Sequence, residues 1–321
     1  MTRVMESSTQ NLQETAASQA PVAESVRALL AGLIDYAGLF PPASLPMADA
    51  VAGYDSYLRG PYRWMLGRFI VPVARLSEFQ IAASRLPDTK TVTAEPWKLS
   101  VLPGADLQVD RTVIRDFNDQ SAAISSNARI ESLEIKIANA GEIARLSELT
   151  PIELETYFEI PLTVDVAECL AAIARCGRRA KMRAGGETTD KFPAPENVVE
   201  FIRLCALSRA PFKATAGLHH PLRSSHRLTY QPDSPSGIMH GFLNIFLVAE
   251  FLRAGMDGRL AVELLQEQSA EAFDFSGDGI RWRGHRLSVN EISATRQDFA
   301  ISFGSCSFTE PVADLQSLHL L

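Results

Sequence analysis

Two lysines set the first question. Lys181 stands in "RAKMRAG" (179–185) and Lys213 in "PFKATAG" (211–217), short apolar runs that read as buried strands. A free lysine has a pKa of about 10.4 and is protonated at neutral pH. Burial and a neighbouring cation both favour the neutral amine, and a neutral amine can attack a carbonyl and form a Schiff base. Other charges share this setting: Glu134 and Lys136 in "LEIKI", Glu159 in "YFEIP", Arg183 in "AKMR" and Asp35 in "GLIDYAG". A charge on a buried strand is costly unless paired, so the set reads either as an ion network or as an active site. Glu134 and Glu159 are the candidate proton carriers. Arg183, Lys136, Asp35, Tyr36 and Thr215 are candidate substrate contacts.

Histidines form a second group. His219 and His220 follow the Lys213 strand, and His240 precedes the most apolar stretch of the chain. His220 is a candidate general acid or base and His219 a substrate contact. An alternative is that His219, His220 and His240 join an acidic residue around a divalent metal, although no HxH signature marks the first strand. Cys306 in "FGSCSF" reads as a packed strand-end cysteine rather than a thiolate nucleophile.

Such residues need a scaffold that aims them at one point. Eight apolar runs qualify as strands: 32–38, 67–73, 97–103, 132–138, 156–162, 179–185, 211–217 and 299–305. Helical patterns separate most of them. "VDVAECLAAIARCG" (164–177) stops at a glycine, and "APENVVEFIRLCALSRA" (194–210) opens with a proline in its first turn. This alternation predicts an α/β fold, a (β/α)8 TIM-like barrel of parallel strands. Strand alternation then turns Glu134, Lys136, Glu159, Lys181, Arg183, Lys213 and Thr215 toward the interior. The main competitor is an open doubly wound sheet, but no GxGxxG follows the first strand.

The spacing breaks once. A long structured insertion over 217–297 separates strands seven and eight. It should hold an apolar helix within 238–255, a helix near 259–268, a hairpin in "FDFSGDGIRWRGHRLSV" and a new helix at the Ser288…Glu291 capping box. An insertion of this size caps an active site or makes an interface. The 238–255 segment is expected to be a core or subunit-interface helix, the latter implying a homo-oligomer.

Composition narrows the class. The chain has 321 residues, 46% hydrophobic and 21% charged, with a formal charge of -7. A sizeable core is expected. The acidic balance and the lack of a basic stripe argue against nucleic acid as partner. Residues 1–21 read as a disordered tail ahead of a single 22–321 domain. Neither an apolar leader nor a membrane-length segment is evident. The four cysteines form no CxxC, and Cys169, Cys176 and Cys205 read as small core residues, so a cytoplasmic setting is expected. A small, anionic molecule is the expected partner, and the residues call for no cofactor.

With these residues in place, the chain resembles the class I aldolases of the deoxyribose-phosphate aldolase type. That family carries a Schiff-base lysine in K-x-x-x-G on strand six, a second lysine in K-A-x-x-G on strand seven and a Gly-x-Ser segment at strand eight. The matching residues here are Lys181 to Gly185, Lys213 to Gly217 and the "FGSCS" at 303–307. The resemblance implies that Lys181 is the nucleophile and Lys213 its pKa-lowering partner. It also implies that Gly185, Gly186, Gly304 and Ser305 contact an anion. The chain departs from the family pattern in several places. Glu134 and Lys136 stand where the family has a strand-four aspartate, and Met182 and Arg183 where it has small hydroxyl residues. The histidine pair and the insertion have no counterpart. Over its length the chain also resembles a set of bacterial proteins carrying "DYAGLFPPA", "FKATAGLHHP", "MHGF" and "FGSCSF" segments, which implies no activity.

Overall fold

Eight parallel strands close into a barrel in the computed structural model, which describes residues 21–86, 96–124 and 128–321. The tail expected at 1–21 lies, apart from residue 21, outside the described residues. In chain order the first half runs α1 (Glu24–Leu30), β1 (Ile34–Tyr36), α2 (Met47–Arg59), β2 (Leu66–Pro72), α3 (Leu76–Ser84), β3 (Trp97–Leu102), α4 (Leu107–Ile124), β4 (Ala128–Lys136) and α5 (Gly141–Leu149). It continues with β5 (Glu155–Ile160), α6 (Val166–Arg175), β6 (Arg179–Arg183), α7 (Pro195–Ser208) and β7 (Phe212–Thr215). The long insertion supplies β8 (Ser224–Arg227), β9 (Ser236–Met239), α8 (Phe242–Arg253), α9 (Gly258–Leu265), β10 (Phe273–Phe275), β11 (Gly279–Trp282), β12 (His285–Ser288) and α10 (Val289–Asp298). The chain then returns through β13 (Ala300–Ser305) and ends in α11 (Thr309–Ser317). Around the barrel the order is β1-β13-β7-β6-β5-β4-β3-β2, so each of the eight expected strands takes a place in one closed sheet.

Local chemistry explains the punctuation. Asp165 caps α6 by accepting from the Glu168 amide, and Gly177, with φ at +61°, follows its end. Pro195 occupies the first turn of α7. At α10 the expected capping box is complete: Ser288 accepts from the Glu291 amide, and Glu291 accepts from the Ser288 amide at 2.8 Å. Replacing Ser288 with Ala is expected to cost about 1 kcal/mol of stability, measurable by urea titration.

Burial follows the alternation. Leu133, Ile135 and Ile137 lie in the apolar layer between strands and helices, while Glu134 is buried on the other side. Helix α8 belongs to that same layer. Every residue from Phe242 to Phe251 is buried within the single chain, Phe242 stacking on Phe303 and Phe246 on Phe212. The apolarity that suggested a subunit interface at 238–255 is thus used internally, with α8 packed on α7, α9, α10 and β13. Its polar residue Asn244 is satisfied, donating to the carbonyls of Leu264 and Glu267 and accepting from the Arg223 amide. No helix among the described residues is long and apolar enough to cross a membrane.

The insertion divides into parts with different neighbours. A β8–β9 ribbon lies next to the mouth, where Leu228 enters the cavity wall. The expected hairpin at 273–289 is instead a three-stranded antiparallel sheet, β10-β11-β12. It packs against α1 and α10 and contributes no residue to the mouth cavity.

Candidate active site

Barrel interiors of this kind are usually filled by bulky aliphatic side chains. Here the filling is charged, in two layers. The lower layer sits at the strand starts. Arg68 reaches Glu131 at 3.3 Å and Glu155 at 3.0 Å, Arg179 pairs with Glu155 at 2.9 Å, and Tyr157 donates to Glu155 at 3.0 Å. Burial, reinforced by the Glu155 charge, pushes the Tyr157 phenol up to about 12.

The upper layer holds the sequence candidates. Lys213 Nζ donates to Asp35 Oδ2 and Glu134 Oε1, both at 2.6 Å, with the side chains of all three about 1% exposed. Asp35 is further held by the Arg68 amide and the Ser302 hydroxyl, each at 2.7 Å. Glu134 takes a hydrogen bond from Ser100 at 2.7 Å. Its other oxygen faces Lys181 Nζ at 2.7 Å, and Lys181 also lies 2.8 Å from Glu159 Oε2. The two lysines therefore share one carboxylate, Glu134, as a bridge.

Their situations differ. Lys213 makes two aligned hydrogen bonds and is fully buried. Burial alone would favour its neutral amine, but Asp35 and Glu134 outweigh burial and raise its pKa. Asp35 and Glu134 thus favour the charged form of Lys213. Burial likewise works against a charged Glu134, yet Lys181 and Lys213 hold its carboxyl far below the usual range. Lys181 is held differently. The Glu134 oxygen facing it lies out of hydrogen-bond alignment, and Lys181, its side chain 5% exposed, lines a cavity.

That cavity, about 590 Å³, occupies the mouth at the strand ends, a volume suited to a small molecule. Of the sequence candidates, Lys181, Glu134, Glu159, Lys136, Arg183, Thr215, His219, Gly186 and Gly304 line it. Arg183 has one ion pair among the described residues, Nε to Glu159 at 3.4 Å, and is 46% exposed, so its terminal nitrogens are presented to solvent. Ala216 and Gly217 both take left-handed φ, 63° and 70°, which folds the chain sharply over the end of β7 and puts its backbone on the cavity wall. Gly217 also packs against Gly185, where an added Cβ would sit 2.8 Å from the Gly185 Cα.

Other candidates lie elsewhere. Asp35 and Lys213 sit beneath the floor rather than on the cavity. Tyr36 points outward into a cluster with Tyr54, Tyr57 and Phe69, because the alternation that turns Asp35 inward turns its neighbour out. Gly185 is covered by Phe192 and Gly217. Ser305 is buried, its carbonyl accepting from the Ala37 amide. The three histidines do not converge. His219 lies beside Cys306 and Glu310, His220 pairs with Asp314 at 2.6 Å and stacks on His226, and His240 bonds the Pro193 carbonyl at 2.8 Å. Among the described residues no group of three or more His, Cys, Asp or Glu side chains is placed to hold a metal ion.

Sequence reasoning did not single out Ser100 and Ser302, nor the walls made by Phe40, Leu228 and Lys191, which Pro41 and Pro42 complete. The serines carried a signal: each is a small hydroxyl flanked by apolar residues at an inward position of its strand. Fold and site together define an α/β barrel whose interior charges end in a lysine-floored pocket. No family model matches the chain, and no curated protein matches its sequence.

Proposed function

We propose that the chain is an enzyme acting on a small anionic carbonyl compound through a Schiff base on Lys181, the chemistry of the class I aldolases it resembles. The observation that carries this reading is the asymmetry of the two lysines: Lys213 is saturated beneath the floor, and Lys181 meets the cavity with two carboxylates beside it.

Those carboxylates do the proton work. Lys181 passes one proton to Glu159, with Glu134 holding the charge beside it, and the amine adds to the carbonyl carbon. The carbonyl oxygen takes up two protons, the two that the ammonium gives up, and leaves as water. One proton and one positive charge stay on nitrogen. The iminium thus has the charge of the starting ammonium, and the same ion pairs serve both states. The iminium then draws electrons from the bond at the neighbouring carbon. Arg183 and Lys136 supply the anion contact, Arg183 through its planar fork. Apolar walls from Phe40, Pro41, Pro42 and Leu228 take the carbon skeleton.

Cyanoborohydride trapping tests this. Incubation with a panel of small oxo acids and aldehyde phosphates, followed by peptide mass mapping, is expected to place the reduced adduct on Lys181. A panel giving no adduct on Lys181 overturns the reading.

A further inference from the structure

The cavity has a second reactive corner, and nothing in the Lys181 chemistry uses it. Cys306 follows β13 and lines the wall. Its Sγ lies 3.9 Å from His219 Nδ1 and 3.7 Å from the Tyr230 hydroxyl. His219 Nδ1 is also 3.3 Å from Glu310 Oε2, and Tyr230 donates to that carboxylate at 2.8 Å. Four functional side chains from three separate segments therefore meet on one edge of the pocket: the loop after β7, the loop of the β8–β9 ribbon, and the stretch from β13 into α11. Burial opposes charge on His219, but the Cys306 thiol and the Glu310 carboxylate outweigh it and lift the imidazole to about 9. A cationic imidazole within reach of a thiol can hold the proton that the sulfur releases on reacting.

We infer that Cys306 is a second nucleophile of this pocket, a thiolate assisted by His219 that captures α,β-unsaturated carbonyl compounds by conjugate addition. The sulfur lone pair forms the bond to the β carbon. The π pair of the C=C bond moves to the α carbon, and the proton that the thiol gave to His219 ends there. No oxidant or further reactant is consumed. Polarizable sulfur suits the soft β carbon, as the Lys181 amine suits the carbonyl carbon, and the apolar walls accommodate the hydrocarbon chain.

The test compares thiols within one molecule. The protein is treated with but-3-en-2-one near neutral pH, and adducts are timed by peptide mass mapping. Cys306 is 5% exposed, and the half-buried Cys176 is the reference. Cys306 is expected to react at least about tenfold faster than Cys176 despite its burial, and His219→Gln to remove that advantage while Cys176 keeps its rate. Equal or slower reaction of Cys306 in the unaltered protein overturns the inference by itself, whatever the variant's fold. So does a folded His219→Gln protein with undiminished Cys306 rate. The adduct is formed without cyanoborohydride and scored on Cys306, whereas the Schiff-base reading is scored by the reduced adduct on Lys181, so failure of one stays distinct from failure of the other.

Discussion

Replacing Lys181 with methionine abolishes the trapped adduct and lowers turnover of any substrate found by at least about 10³-fold, the scale set by losing a nucleophile together with its proton transfers. Methionine keeps the length and the apolar stem and removes only the amine. The loss should be catalytic rather than structural. Glu134 keeps Lys213 and Ser100, and Glu159 sits at the cavity edge beside Arg183. Thermal melting of the variant within a few degrees of the parent, with the adduct gone, is the expected pair of results. An adduct that persists in Lys181→Met on another lysine, or turnover that survives, removes Lys181 from the chemistry.

The framework was readable from the chain because its signals are local. Apolar runs bounded by caps, a proline at the start of α7 and the Ser288…Glu291 box each act within a few residues. Strand alternation was equally informative, turning Glu134, Glu159, Lys181 and Lys213 inward. What alternation cannot say is which charges meet. Lys213 finds Asp35 and Glu134 across the barrel, at separations of 178 and 79 residues, and those pairings, not the inward direction, decide that Lys213 is a fixed cation. Glu131 escaped notice because pairing of β3 with β4 shifts between Leu99 and Ser100, so the period of two breaks along that edge. The β8–β9 ribbon was missed for a plainer reason: "SSHR" and "SGIM" are four-residue strands with little apolar contrast. Tyr36 was read as a substrate contact beside Asp35, although a strand of three residues cannot turn two neighbours to one side.

A barrel built around a structural ion network and a barrel built around a reactive lysine share most of these contacts, and the two lysines separate them. Lys213→Met is expected to destabilise the fold by about 3–5 kcal/mol at neutral pH, the cost of stranding buried partners of a removed charge. Asp35 and Glu134 would remain about 1% exposed with no ammonium between them. The pH dependence follows from the sign of the shifts. In the parent, Glu134 has a depressed pKa, so its contribution is present above its unfolded value of about 4.3 and is lost as pH falls below it. In the variant, burial loses one of its two opponents and the folded pKa of Glu134 rises. Protonation then relieves the stranded charge, and the stability gap between parent and variant narrows as pH is lowered from 7 toward 5. Urea titrations at both pH values measure this. A gap under about 1 kcal/mol at neutral pH, or one that does not change with pH, would show that Lys213 does not neutralise a buried pair. Lys181→Met should behave otherwise, with little loss of stability, because its partners border a cavity that water can enter. If both substitutions cost the same, the lysines are equivalent struts, and the asymmetry that assigns chemistry to Lys181 is gone.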